Sequence, residues 1–223
     1  MSEPFFSVII ATYNRAQLLQ KALNSLISQT TDDWEAIIID DESTDDTYSR
    51  ILPYLRSYRQ IRYLRKPHSG CAMSKNAGIC LSVGKFITFL DSDDEYDPMH
   101  LDLRKKILME DHSIRFLYGG TNIIGNQYVP DRFDNEKSVS LNDCVIGGTF
   151  CIERNTIFQL KGFWKISLGE DADLFERAKK SGILIIETKL PTYIYHHETE
   201  DSITNKLHYE TILKRRSHTF SVS

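Results

Sequence analysis

Along the first half of the chain, short apolar runs alternate with stretches in which apolar residues recur every three or four positions. Phe6 to Ala11 is a β-branched run of the length of a buried strand. Behind it Leu18, Leu19, Ala22, Leu23, Leu26 and Ile27 fall at helical spacing, with Gln17, Gln20, Lys21 and Asn24 between them. Trp34 to Ile39 is the next strand and ends in Asp40 and Asp41. Ser43, Thr44, Asp45 and Asp46 supply capping residues and first-turn acids for a helix near Thr47 to Tyr58, which Pro53 should kink or shorten. A strand over Ile61 to Arg65 and a helix around Ala72 to Leu81 follow. Phe86 to Leu90 is the clearest buried strand and runs straight into Asp91-Ser92-Asp93-Asp94. Pro98 then opens an amphipathic helix that reaches about Met109. Strand and helix in alternation predict an α/β fold with a mainly parallel sheet covered on both faces.

The second half is less regular. Ile114 to Tyr118 and Gly148 to Glu153 read as strands, and Tyr128 to Ser138 as a polar loop. A helix from about Asp171 ends at Gly182 and gives way to a strand over Ile183 to Ile186. No linker or repeat divides the 223 residues, and a chain of that length buries roughly 70–75 % of its unfolded surface, so one domain over 1–223 is expected.

Composition narrows the classes. With 27 basic and 31 acidic side chains the net charge is −4, which argues against a nucleic-acid partner. Cys71, Cys80, Cys144 and Cys151 show no metal or redox spacing and are expected to be reduced thiols of a cytoplasmic protein. No stretch approaches the roughly 18 apolar residues of a membrane span. The basic cluster Lys214-Arg215-Arg216 fits a solvated helix face, and also a peripheral contact with an anionic inner membrane face.

Acids mark the candidate chemistry. Asp40-Asp41 and the Asp91 to Asp94 run each follow a strand, and Glu170-Asp171 precedes a helix. Carboxyl ends of parallel strands line the ligand crevice, so the first two clusters should share a cleft. Carboxylates at that density suit Mg²⁺ or Mn²⁺, ions that complete their shells with phosphate and water, and this points to a phosphorylated substrate. A turn or cap at the strand end also explains Asp40-Asp41. Competing motifs fail. Phe86 stands where a phosphate loop after Gly78, Gly84 and Lys85 needs Ser or Thr, and there is no GxGxxG. Asp201 replaces the second histidine of a zinc-protease pattern begun by His197-Glu198, and Tyr96 replaces the glycine of a calcium loop begun at Asp91.

Together these segments resemble the inverting nucleotide-sugar transferases of glycosyltransferase family 2. Ser7 to Arg15 is similar to the family's opening strand and turn, and Ile37 to Thr47 to its second element. Phe89-Leu90-Asp91-Ser92-Asp93-Asp94 is similar to its DxD metal motif, and Gly169-Glu170-Asp171 to its ED motif. The resemblance spans roughly residues 6 to 204. It implies the GT-A fold, a three-layer α/β/α sandwich on a mixed, mainly parallel sheet. A Rossmann-like half over about 1–97 would bind the nucleotide sugar, and about 98–223 would bind the acceptor and end in a short helical tail.

The same resemblance implies roles. Thr12, Tyr13 and Arg15 belong to the nucleotide side, and Asp41 accepts a hydrogen bond from the base, as a carboxylate can from a uracil imide N–H. Lys75 and Asn76 match a donor-binding segment that usually carries arginine before the asparagine; lysine brings the charge without the fork. Asp91 holds the ribose or the metal shell, with Ser92 beside it on the donor side, and Asp93 binds the Mn²⁺ or Mg²⁺ that bridges the diphosphate. His197 binds the diphosphate or completes the metal shell, and Asp171 is the catalytic base. Gly147-Gly148-Thr149 and Trp164 shape the acceptor site or simply pack. The implied donor is a UDP-sugar, and the implied acceptor a hydroxyl of a glycan or lipid-linked carrier in cell-surface polysaccharide synthesis. One carboxylate suffices as base because the metal does for the leaving group what a second acid does in a hydrolase. The alternatives are a non-catalytic nucleotide-sugar-binding subunit and a phosphohydrolase of the haloacid dehalogenase type. Glu95 speaks against the latter, standing where that class needs Thr or Val.

Overall fold

A computed structural model describes residues 3–130, 137–166 and 169–197. The strands in chain order are β1 (Phe6–Thr12), β2 (Trp34–Asp40), β3 (Ile61–Arg65), β4 (Phe86–Phe89), β5 (Glu95–Tyr96), β6 (Phe116–Tyr118), β7 (Thr121–Ile124), β8 (Tyr128–Pro130), β9 (Ser138–Ser140), β10 (Cys151–Glu153), β11 (Ile185–Glu187) and β12 (Tyr193–His196). The helices are α1 (Ala16–Ile27), α2 (Thr47–Ser57), α3 (Cys71–Leu81), α4 (His100–Glu110), α5 (Arg154–Gln159) and α6 (Glu170–Lys180).

The central sheet runs β11-β6-β10-β4-β1-β2-β3. Only β10 is reversed, antiparallel to β4 and β6, while the other neighbours pair parallel. Alternate residues of the strands feed two cores. Val8, Ile10 and Ile38 pack with Leu19 and Leu23 of α1, Ile51 of α2 and Leu101 of α4. Ile9, Ile87 and Phe89 pack on the other face with Ile79 of α3, Ile157 of α5 and Leu174 of α6. The result is the three-layer α/β/α sandwich. Gly78 lets α3 close on β1, since a Cβ there would lie 2.5 Å from Ile9 Cγ2.

Several expectations need correction. α2 continues through Pro53 to Ser57, because Ile51 is buried beneath it and Tyr54 Oη donates to Asn24 Oδ1 of α1 at 2.7 Å. α4 starts at His100 rather than Pro98, since Asp97 forms a turn first, its Oδ1 and O accepting Met99 N and His100 N, both at 2.9 Å. The inward face of that helix holds His100 and Arg104 as well as Leu101 and Leu108. Gly148 to Glu153 divides into a 3-10 turn, Gly147–Thr149, and the three residues of β10. β8 and β9 pair within what reads as a loop, Val129 opposite Val139. A separate three-stranded sheet, β5-β12-β7, was not anticipated. Strands of two to four residues are too short for a period of two to show in sequence. The expected helical tail and Lys214-Arg215-Arg216 lie outside the described residues. Among the described residues no helix is long and apolar enough to cross a membrane, and all four cysteines are free thiols.

Candidate active site

Parallel register sets the carboxyl ends of β1, β2 and β4 side by side, with Thr12 opposite Asp40. The turns that follow are knitted to one another. Asn14, at φ +52°, accepts Thr44 N on its Oδ1 at 2.7 Å and donates its own N–H to Ser43 Oγ at 2.9 Å. Asp40 turns away from the cleft, taking Tyr63 Oη at 2.6 Å and Ser43 N at 2.7 Å. Next to this turn is a hollow of about 360 Å³ lined by Asp40, Ser43, Asp45, Tyr48, Tyr63 and Arg65. A larger one, about 630 Å³, lies at the opposite end of the strands near Phe5 and Lys85 and contains none of the expected site residues.

Asp41 is 3 % exposed and saturated with donors. Its carboxylate pairs with Lys66 and accepts Ser69 N at 2.9 Å and Gly70 N at 2.8 Å, while His68 Nδ1 stands 2.9 Å away. Burial works to raise its pKa, but Lys66 and the two backbone donors outweigh it and hold the group below the usual carboxylate range. Gly70 reaches this position at φ +94° and opens α3, so the carboxylate also meets the positive end of that helix. Beside it the half-exposed ring of Tyr13 leans on His68, centroids 4.6 Å apart. Thr12 is buried, and its Oγ1 has no partner.

The acidic turn after β4 is neutralised by two cations from other elements. Arg15 Nη1 lies 2.8 Å from Asp93 Oδ2. Lys75 Nζ lies 3.1 Å from Asp91 Oδ1 and 3.9 Å from Asp171 Oδ1. Lys75 is buried, its ammonium over the rings of Phe89 and Phe163 at 5.9 and 5.5 Å. Burial disfavours its charge, yet Asp91 and Asp171 hold its pKa well above the ordinary value. Ser92 is buried, and Asp94 points inward to Tyr193.

Asp171 sits in the first turn of α6, opened by Gly169 at φ +82°. Gly147 N donates to its Oδ2 at 3.1 Å, whereas Oδ1 is buried without a hydrogen-bond partner. Only glycine fits at 147, where a Cβ would lie 2.1 Å from Asp171 Cγ. Burial, with Glu170 and Asp91 nearby, raises the Asp171 pKa to about 6 against the pull of Lys75. A carboxylate with one oxygen that accepts no hydrogen bond and that pKa is suited to take a proton near neutrality.

Two expected residues sit differently. Both ends of the Asn76 amide are used on one backbone: Nδ2 donates to Phe163 O at 2.8 Å and Oδ1 accepts Phe163 N at 2.9 Å. It thereby fixes the turn that carries Phe163 against Lys75. His197 is buried, with Nδ1 2.6 Å from Asn126 O and Nε2 unpartnered. Among the described residues no three His, Cys, Asp or Glu are grouped to hold a metal. In the same structure Arg15 holds Asp93, and the Asn126 carbonyl anchors the His197 ring. Sequence reasoning missed Lys66 and Tyr193, and the Gly147-Gly148 pair was the one signal of a turn pressed against other groups.

The three-layer sandwich on a mostly parallel sheet matches that of the GT-A class. The solved structure of S. aureus TarS 1–349 in complex with UDP-GlcNAc superposes with a TM-score of 0.72 at 21 % identity, over 90 % of this chain and 60 % of that one. The mannosyltransferase PcManGT of Pyrobaculum calidifontis, solved with GDP-Man and Mn²⁺, gives 0.69 at 17 %, over 87 % and 57 %. The model of glycosyl transferase family 2 matches residues 7–115, and the chain belongs to that family. The Escherichia coli enzyme WfgD, a UDP-Glc:alpha-D-GlcNAc-diphosphoundecaprenol beta-1,3-glucosyltransferase, is 29 % identical over 152 residues. The chain spans 59 % of that relative's length.

Proposed function

We propose that this chain transfers a sugar, with inversion, from a UDP-linked donor to a hydroxyl of a glycan or lipid-linked acceptor in cell-surface polysaccharide synthesis. Lys75 carries the reading: one buried ammonium between Asp91 and Asp171 puts the donor turn and the base on one cleft. Thr12 and Tyr13 line the nucleotide pocket, and a base N–H takes the place of Lys66 or His68 on Asp41.

The acidic turn fits Mn²⁺ or Mg²⁺. One or two carboxylates completed by phosphate oxygens and water is a set these ions accept without an all-protein cage. Burial and the neighbouring Asp91 raise the Asp93 pKa against the pull of Arg15, a condition that a nearby cation relieves. Asp93 and Asp91 would hold the ion, and the unpartnered Nε2 of His197 is left to meet the diphosphate or its metal. When bound, the ion draws charge from the departing diphosphate. Asp171 receives the acceptor's proton at Oδ1 while Gly147 N steadies Oδ2, and a single base on the far side of the sugar gives inversion. Lys75 keeps Asp171 ionised and adds positive charge beside the phosphates. A lipid-linked acceptor would bring the chain to the cytoplasmic face of a membrane as a peripheral protein.

A thermal-shift screen of nucleoside diphosphates, with and without Mn²⁺, tests the donor assignment. UDP with Mn²⁺ is expected to raise the melting point, by the equivalent of about 2.7 kcal/mol at a hundred times Kd. No shift with any nucleoside diphosphate contradicts the proposal.

A further inference from the structure

The turn that faces the donor and the turn that steadies the base meet on one phenol. Tyr193, on β12, is fully buried. Its hydroxyl donates to Asp94 Oδ2 at 2.7 Å and accepts the backbone N–H of Asp91 at 3.3 Å. His196 N donates to the other oxygen, Asp94 Oδ1, at 2.8 Å, so the acidic turn is tied to β12 twice. On its other side the ring supports the glycine turn, because a Cβ at Gly148 would lie 2.3 Å from Tyr193 Cζ and 2.7 Å from Cε2, besides 2.0 Å from Oη. The next residue back, Gly147, makes the hydrogen bond to Asp171. The ring is held in place by its register with Tyr96 across the β5–β12 pair and by edge contact with that ring at 5.8 Å.

We propose that Tyr193 is a positioning residue that sets the acidic turn and the glycine turn in register, fixing the spacing between the donor's diphosphate and the base. It touches neither substrate. Asp91, Asp93 and Asp94 repel one another, and drawing Asp94 back into the fold leaves the first two facing the cleft. A bond from a neutral hydroxyl to a buried carboxylate is among the stronger kinds, and removing it leaves that carboxylate short of a donor. The inference rests on the reading of the cleft as a nucleotide-sugar site.

Tyr193→Phe separates hydroxyl from ring. UDP affinity measured by calorimetry with Mn²⁺ is expected to fall about tenfold to a hundredfold, and the donor KM to rise by a similar factor. The acid limb of kcat should stay where it is, because the ring still supports Gly148, and a general loss of structure would not divide the effects this way. Asp94→Asn keeps an acceptor for the hydroxyl and should lose only a few-fold in UDP affinity, which carries the test if Tyr193→Phe does not fold. Wild-type affinity in both variants overturns the inference alone. Wild-type protein that binds no UDP overturns it together with the reading on which it rests.

Discussion

Asp41 and Asp171 flank the first turns of α3 and carry the same carboxylate, but their surroundings push them in opposite directions. Asp41 bonds to Ser69 N and Gly70 N at the start of that helix and to the Lys66 ammonium, and is held below the usual range. Asp171 meets α3 at Lys75, accepts one backbone hydrogen bond on Oδ2, has no hydrogen-bond partner on Oδ1 and is raised to about 6. Burial acts on both in the same sense; at Asp41 the Lys66 ammonium and the backbone donors outweigh it, whereas at Asp171 the charges of Glu170 and Asp91 add to it and only Lys75 and one backbone donor oppose it. A saturated carboxylate holds its neighbours, whereas an under-satisfied one is ready to take a proton.

The sharpest way to break this contrast is to neutralise each acid in turn. Asp171→Asn removes the base while keeping the bond from Gly147, and transfer should fall about 10²–10⁴-fold. Donor affinity, read by calorimetry, should stay within about twofold of wild type. Asp41→Asn acts first on stability, because Lys66 loses its counter-ion and two backbone donors lose charge. Thermal unfolding at pH 7 should register a loss of about 1–3 kcal/mol. The pH dependence of that loss has a definite sign. A depressed carboxyl stabilises fully above its unfolded pKa of about 3.8 and stops doing so as pH falls through the lower folded value, so the gap closes only in strong acid. Asp171 works the other way: raised in the fold, it favours the native state below about pH 3.8 and loses that contribution as pH rises through about 6.

The first half of the fold was legible because β1, β2 and β4 are mostly apolar runs and the acids stand behind β2 and β4. Parallel pairing then brings those chain positions together whatever lies between. Partners were not legible. Lys66 reaches Asp41 across 25 residues and Tyr193 reaches Asp94 across 99, and neither lysine nor tyrosine announces such a role by spacing. Nothing in the sequence beside Lys75 signals that the Asn76 amide holds Phe163, 87 residues away. The β5-β12-β7 sheet escaped for the same reason, because its short strands are defined by partners distant in the chain rather than by their own pattern.

The account depends most on Lys75 joining the donor turn to a base poised near neutrality. Its most direct test is the pH dependence of kcat, followed from pH 5 to 8 in wild type and in Lys75→Met. Wild type should lose transfer below about pH 6, where Asp171 becomes protonated. Removing the cation should move that limb upward by about one unit or more. A limb at the same pH in both proteins, or none in either, would contradict the assignment of Asp171 as the base.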